Sequence, residues 1–350
     1  MGKRIKILYT IPNFKTAGSQ YVLLSLYNKI DKTLFDPYVC VEKFSETIPD
    51  AIPMDRRLVF EFTGNHKIDL IGLRKILMEN NIDVLHSWDY KSNYLEPLAC
   101  RFSSAKYLYT KKNNAWSKRW KLKSVLSHHI AYDNPEMKKR FFDSFLFRKK
   151  ITFVPHGVDV EIFKPRDRKV RQTFNIGCIG NIGANKNQLF IIEGLKDLPE
   201  NVVLHLYGNE EEEYRKLLEE KIFKHNLKSR IHFHGFVENK KLPEVFGNLD
   251  VFVLASFQEG MPVSILEALA CGIPVLSSDS GGAAKYLLDS DRIFSLKDTD
   301  ELVLKILEIY HLDVKGKKNM TAKEVQNIAE NHSLDKEVRA YERLYKKLVK

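Results

Sequence analysis

The stretch Asp250–Gly282, DVFVLASFQEGMPVSILEALACGIPVLSSDSGG, decides the fold. Val251–Ala255 and Ile273–Leu276 are short apolar runs rich in branched residues, which read as two buried strands. Between them, Pro262 precedes an apolar-periodic segment, Val263–Ala270, that stops just before Gly272. Proline suits the first turn of a helix, where its missing N–H costs nothing, and glycine suits the position past the end. Strand, loop, helix, strand is the repeating unit of a parallel sheet. Such a sheet leaves a binding crevice at the carboxyl ends of its strands.

Two carboxylates fall at that crevice. Glu259 lies in the loop after the first strand, and Glu267 lies about one turn inside the helix. The free amides of a helix N-terminus favour an anion such as phosphate. Carboxylates repel phosphate and instead accept hydrogen bonds from hydroxyls, so a sugar nucleotide, with hydroxyls on both sides of a diphosphate, fits the layout. The same two glutamates are also readable as exposed residues near a helix start that favour its dipole.

The segment EGMPVSILEALACGIPV resembles the glutamate, seven residues, glutamate motif of the retaining glycosyltransferases of family 4, which have the GT-B fold. The preceding strand, the Gly-x-Pro, the EALACG helix and the closing SGG match as well. The resemblance implies an α/β GT-B fold, with two Rossmann-like domains facing across a cleft and a C-terminal helix crossing back to the first. On that reading residues 1–160 form the acceptor-side domain, residues 161–332 the donor-side domain, and residues 333–350 the returning helix.

Length and composition agree with an ordinary globular chain. The 350 residues suffice for two cores, with 44% hydrophobic and 29% charged residues. No run is long enough to span a bilayer, and MGKRIKILYTIPNF passes straight from lysines into a strand, so no secretory leader is expected. Cys40, Cys100, Cys178 and Cys271 lie in apolar segments without metal-ligand spacing and read as buried thiols in a reducing cytoplasm.

In the first half, Ile5–Thr10, a polar loop containing Gly18, and a helix through Val22, Leu26 and Ile30 form a first strand–loop–helix unit. The loop TAGSQYVLLSL resembles the family's first glycine-rich loop near the diphosphate, with Ala17-Gly18 where two glycines are usual, so Gly18 alone is carried over. Pro37–Val41, Val59–Phe62 and Asp83–His86 are further strand candidates, and Ile71–Met78 is an amphipathic helix. DVLHSWDYKSNYLEPLA resembles the family's strand ending in an acceptor-side histidine. That assigns His86 to the acceptor side, with Asp89 as the nearest carboxylate to orient an acceptor hydroxyl. A hydrogen-bonded strand-end histidine is the alternative.

The chain's net charge of +11 lies in this half: residues 1–160 hold 27 Lys+Arg against 16 Asp+Glu, and the rest hold 29 of each. Lys111, Lys112, Lys118 and Arg119 interleave with Trp116 and Trp120, which suits an anionic membrane surface with the rings at headgroup level. A solvated basic face is the other reading. No nucleic-acid motif accompanies the patch. With the lipid-linked acceptors common in the family, the resemblance implies a cytoplasmic protein held peripherally at the inner face of the membrane.

VPHGVDVEIFKP resembles the family's interdomain stretch, with His156 in the place of an asparagine, and the hinge is expected between about Val158 and Val170. Asn175–Gly180 opens the second domain as a strand, and GNIGANKNQ leads into its helix. Gly177, Gly180 and Gly183 do not have dinucleotide-fingerprint spacing. The family has an arginine and a lysine here; Lys186 matches the lysine, and Asn181 stands in the arginine's place. Val202–Tyr207 with Gly208 and Arg230–Gly235 are the next strands, the loop Gly235–Val237 facing the base. Glu301–Leu312 and Asp335–Val349 are helical.

The resemblance then assigns the donor side to Gly18, Gly180, Asn181, Lys186, Gly208, Glu259, Gly260, Met261, Pro262, Val263 and Glu267. Lys186 and Glu259 carry catalysis: the lysine takes the leaving diphosphate and Glu259 the sugar hydroxyls, while Glu267 takes the ribose. The substrate is a UDP- or GDP-sugar, and the acceptor a glycan or lipid-linked hydroxyl in surface-polysaccharide assembly. No cofactor is required. Asp289-Ser290-Asp291 and Asp298-Thr299-Asp300 imitate a metal-binding Asp-x-Asp but read as turn and cap residues, so no metal is expected. The competing readings are a non-catalytic GT-B subunit that binds a partner glycosyltransferase, and a GT-B epimerase or phosphorylase.

Overall fold

The computed structural model describes residues 3–14, 18–88, 91, 93–167, 171–281 and 283–350. It divides into two compact units, Met1–His156 with Leu334–Lys350, and Gly157–Ser333.

The first unit is built on a seven-stranded sheet in which each strand pairs parallel with its neighbours. Its strands are β1 (Ile5–Ile11), β2 (Phe35–Val41), β3 (Arg57–Val59), β4 (Val84–Ser87), β5 (Lys106–Lys111), β6 (His129–Tyr132) and β7 (Ile151–Phe153), in the order β3-β2-β1-β4-β5-β6-β7. Helices cover both faces of such a sheet, so inner strands read as unbroken apolar runs; β2, FDPYVCV, is buried throughout. The basic stretch 101–150 conceals β5 and β6. KYLYTK has a lysine at each end, and its charge masks a strand whose last five residues are buried.

The second unit has six strands: β8 (Phe174–Ile179), β9 (Val202–Tyr207), β10 (Ile231–Phe233), β11 (Val251–Leu254), β12 (Val275–Ser278) and β13 (Ile293–Phe294). Their order is β10-β9-β8-β11-β12-β13, again all parallel, and the direction of winding reverses between β8 and β11. Two apolar clusters form its core, one including Ile176, Leu204 and Val253, the other Phe252, Ile265 and Leu269. Residues on alternate sides of β11 therefore enter different clusters.

The strand after the central helix begins two residues later than its apolar run predicts. The helix Val263–Ala270 closes with Gly272 at φ +69°. The Gly272 amide bonds to Leu269 O at 2.9 Å, and the Ile273 amide to Ala268 O at 3.0 Å. This paired closure at a left-handed glycine commits Ile273 to the helix end, where its side chain packs in the core. The helix Val314–Asn331 was not evident in the sequence. It is mostly polar, but packs beside the central helix, with Thr321 Oγ1 donating to Gly272 O at 3.2 Å.

The last helix, Leu334–Val349, belongs to the first unit. It buries Leu334, Val338, Tyr341, Leu344 and Tyr345, an i, i+4, i+7 stripe. Its tyrosines enter a buried hydrogen-bond chain: Tyr345 Oη lies 3.2 Å from Tyr9 Oη and 2.6 Å from His86 Nδ1. His86 Nε2 is 2.9 Å from Thr110 Oγ1, which is 2.9 Å from Tyr341 Oη. A second anchor joins His156 to Glu337 of this helix at 3.1 Å and to Asp133 at 3.2 Å, all three buried.

Burial alone pulls a histidine's pKa down, but the hydrogen bonds and charges of Asp133 and Glu337 outweigh it and raise His156 to about 9. A raised folded-state pKa stabilises fully below the unfolded value near 6.5, and that stability is lost as pH rises through about 9. We therefore expect the thermal unfolding midpoint to fall between pH 6.5 and 9.5 in the wild type, and to fall much less over that window in His156→Asn. Parallel profiles for the two proteins would show that the cluster is not charged at neutral pH.

Candidate functional site

The carboxyl ends of β8 and β11 flank the point where the second sheet reverses its winding, the place where open parallel sheets bind ligands. The loop after β8 carries Gly180, Asn181 and Lys186; the loop after β11 carries Glu259 and leads into the central helix. Lys186 Nζ donates to Glu259 Oε1 at 2.7 Å, with both side chains mostly buried. Two backbone contacts shape these loops: Phe257 N bonds to Asn185 O at 2.9 Å, and Glu259 N to Ser280 O at 2.7 Å. Asn185 Nδ2 also donates to Gln258 O at 3.0 Å.

Glycine is required at one crossing. Gly208, after β9, has φ +148°, and a Cβ there would run into the carbonyl of Gly180. The Gly208 amide donates to Gly235 O at 2.8 Å. The loops after β8, β9 and β10 are thus laid against one another with no side chain between them. Gly180 itself, at φ +147°, lies under the Lys186 side chain.

Pro262 is the N-cap of the central helix and makes no side-chain cap. Met261 and Pro262 are buried, with Met261 packed into the core, while Gly260 and Val263 are half-buried. Glu267 is 5% exposed, and its Oε1 accepts from Asn239 Nδ2 at 2.9 Å. Burial raises its pKa to about 8, against a smaller lowering by the Asn239 amide. Glu267 is therefore mainly the neutral acid at pH 7, whereas Glu259 faces a lysine.

The exposed Asn181 offers its carbonyl to Gln188 Nε2 at 3.0 Å, so its place in the loop is fixed through backbone. Of the two Asp-x-Asp strings, Asp289 caps a 3-10 turn at Ser290–Arg292, and Asp298 Oδ1 accepts the Asp300 amide at the start of the helix Asp300–Tyr310. Asn185, Asn239 and Ser280 also shape this edge. Sequence spacing gave no signal for them, because each acts from a different loop.

In the first unit the expected residues scatter. Gly18 is exposed, at φ +84°, and caps the helix Ser19–Lys29. Asp89 and Ala17 lie outside the described residues. His86 has no exposed surface; desolvation and the nearby Lys112 charge hold its pKa well below the ordinary value, and both ring nitrogens serve the hydrogen-bond chain to the terminal helix.

The expected membrane-facing set needs correction. Lys111 and Trp120 are buried, with the ammonium 3.8 Å from the indole centroid and bonded to Ala115 O at 2.7 Å. Burial lowers the Lys111 pKa to about 7. Trp116 stacks on Phe141 at 4.9 Å, and Lys112 lies over Trp88 at 3.7 Å. Aromatic–cation packing inside the unit, not headgroup contact, accounts for the interleaving of lysine with tryptophan. Of the six, Lys118 and Arg119 are exposed.

Residues 159–331 match the family described as glycosyl transferases group 1. The chain is similar to the UDP-Gal:alpha-D-GlcNAc-diphosphoundecaprenol alpha-1,3-galactosyltransferase of Escherichia coli, at 26% identity over 80% of each chain. It is similar also to the putative glycosyltransferase EpsF of Bacillus subtilis, at 24% identity over 79% of each. Among solved structures, Anabaena Alr3699/HepE in complex with UDP and glucose superimposes with a TM-score of 0.84 at 16% identity, covering 98% of this chain and 100% of that one. WaaG, a glycosyltransferase involved in lipopolysaccharide biosynthesis, gives 0.72 at 14% identity, covering 96% and 98%.

The Lys186–Glu259 contact makes a direct prediction. An anion that binds Lys186 must displace Glu259, so removing that carboxylate's charge frees the lysine. Glu259→Gln should bind inorganic pyrophosphate roughly three- to tenfold more tightly than the wild type by calorimetry. Lys186→Met should bind it more weakly. Unchanged affinity in both variants would mean that the anion goes elsewhere.

Proposed function

We propose, for a chain whose residues 159–331 match the glycosyl transferases group 1 family and whose fold is GT-B, that it transfers a sugar from a nucleoside diphosphate sugar to an acceptor hydroxyl with retention of configuration. The observation that carries this reading is the meeting of Lys186 and Glu259 where the second sheet reverses its winding, with Glu267 buried on the helix that follows. Cleavage of the glycosyl–oxygen bond leaves negative charge on the diphosphate. Lys186 and the amides of Gly260, Met261 and Val263 stabilise that charge from positions fixed beforehand, with no metal required. Glu259, released from the lysine, accepts the sugar's hydroxyls, and Glu267 accepts those of the ribose.

UDP is the first donor nucleotide to test, given the UDP seen in the Anabaena neighbour and the UDP-galactose in the Escherichia coli relative's name. That relative's diphosphoundecaprenol acceptor supports a lipid-linked or growing surface glycan here. The test is release of nucleoside diphosphate from a panel of UDP- and GDP-sugars with lipid-linked acceptors. One donor should turn over. Lys186→Ala should lower kcat by roughly 10²–10³-fold, and Glu267→Ala should mainly raise the donor KM. No turnover with any donor would favour the non-catalytic subunit, in which Asn181 leaves the diphosphate short of one cation.

The protein works peripherally at an anionic membrane on the cytoplasmic side, through a face other than the tryptophans. The helix Lys118–Leu126 exposes Lys118, Arg119, Lys121, Leu122 and Val125. Lys150 Nζ ties its end to the following segment by bonding to Ser124, Val125 and Ser127 carbonyls. That segment exposes Phe145 (80%) and Leu146 (60%) beside Arg148 and Lys149. Apolar tips ringed by cations suit an anionic bilayer. Phe145→Ser/Leu146→Ser should release the protein from phosphatidylglycerol vesicles in co-sedimentation, and added salt should weaken wild-type binding. Equal binding to neutral phosphatidylcholine vesicles would contradict the electrostatic part.

A further inference from the structure

Glu267 is almost wholly buried, and its Oε1 is taken up by one neutral amide, Asn239 Nδ2 at 2.9 Å. Asn239 opens a 3-10 turn, Asn239–Lys241, that follows the loop after β10. That loop is anchored on the crossing of Gly208 with Gly180 through the bond from the Gly208 amide to Gly235 O, and by His234 N to Leu206 O at 2.9 Å. Asn239 extends this series of contacts to a fourth element, the central helix. It joins the loop expected to face the base to the carboxyl expected to face the ribose.

We propose that Asn239 is a positioning residue for nucleotide binding: it holds one oxygen of Glu267 so that the carboxyl presents its free acceptor positions to the two ribose hydroxyls. The inference rests on the donor-site reading given above. An amide suits this task where a cation does not. It donates to the carboxyl without forming an ion pair that the ribose would then have to break. Of the two charges on the turn, Lys240 pairs with Glu238 at 2.9 Å on the surface and Lys241 is exposed. The other titratable group acting with Glu267 is Cys271, one turn on, whose thiol is pushed up to about 12 by burial first and then by the Glu267 charge; Arg166 acts on that same thiol in the opposite sense.

The chemistry gives the position a signature beyond simple loss of packing. A carboxylate accepts from hydroxyls more strongly than its neutral acid, and the Asn239 amide favours the ionised form. Nucleotide affinity should therefore rise with pH through about 8, where burial places the Glu267 proton. Without the amide, that rise moves to higher pH.

The experiment is calorimetric titration of the full chain with UDP, GDP and 2′-deoxy-UDP between pH 6 and 9.5, for wild type, Asn239→Ala and Asn239→Gln, each first checked for wild-type circular dichroism. Asn239→Ala should weaken UDP binding at pH 7 roughly five- to twentyfold, and recover part of that loss at pH 9.5. The loss should shrink with 2′-deoxy-UDP, which lacks one of the two hydroxyls, and Asn239→Gln should restore part of the affinity. The inference is overturned if Asn239→Ala binds UDP like the wild type at every pH, or loses the same factor on both nucleotides at every pH. A wild type that binds neither UDP nor GDP overturns the donor-site reading itself, and this inference with it.

Discussion

Everything at the edge of the second unit where its winding reverses depends on a side chain that is not there. At Gly208 the backbone passes so close to the Gly180 carbonyl that a Cβ has no room. That approach lets the loops after β8, β9 and β10 lie together, held by the Gly208 amide on Gly235 O. Gly180 in turn leaves space for the Lys186 side chain, which reaches Glu259 on the loop after β11. A Cβ at Gly208 would push its loop off the Gly180 carbonyl, and one at Gly180 would press on the Lys186 side chain.

Seen chemically, the site is self-complementary. Its cation is held by a carboxylate at 2.7 Å, and its second carboxyl is kept largely neutral by burial. Neither charge stands alone in a low-dielectric place, which would be costly. On the proposed function, a ligand with a diphosphate between two sets of hydroxyls would replace both arrangements at once: phosphate for Glu259 on the lysine, hydroxyls for the proton on Glu267. The buried polar groups of the first unit serve a different end. Tyr9, His86, Thr110, Tyr341 and Tyr345 spend their hydrogen bonds on seating the terminal helix, as do Asp133, His156 and Glu337.

The central stretch could be read from its sequence because its signals are local. Proline before Val263, glycine after Cys271 and the branched runs on either side each report a conformation within a few residues, and the helix is found at Val263–Ala270 as read. Two kinds of feature were hidden. Where charged residues are buried, composition misleads: KYLYTK is a strand with a buried lysine at its end, and the lysine–tryptophan stretch is an interior stack. Where a contact joins distant loops, as from Asn239 to Glu267 or Asn185 to Gln258, no spacing rule reports it. His86 shows both effects, a polar residue at a strand end with one ring nitrogen on Thr110, 24 residues on, and the other on Tyr345, 259 residues on.

The most direct test of the account is a crystal structure of the protein with UDP. The account predicts the diphosphate against Lys186 and the amides of Gly260, Met261 and Val263, the Lys186–Glu259 contact opened, and the ribose hydroxyls on Glu267. UDP bound away from these residues, with Lys186 still closed on Glu259, would contradict it.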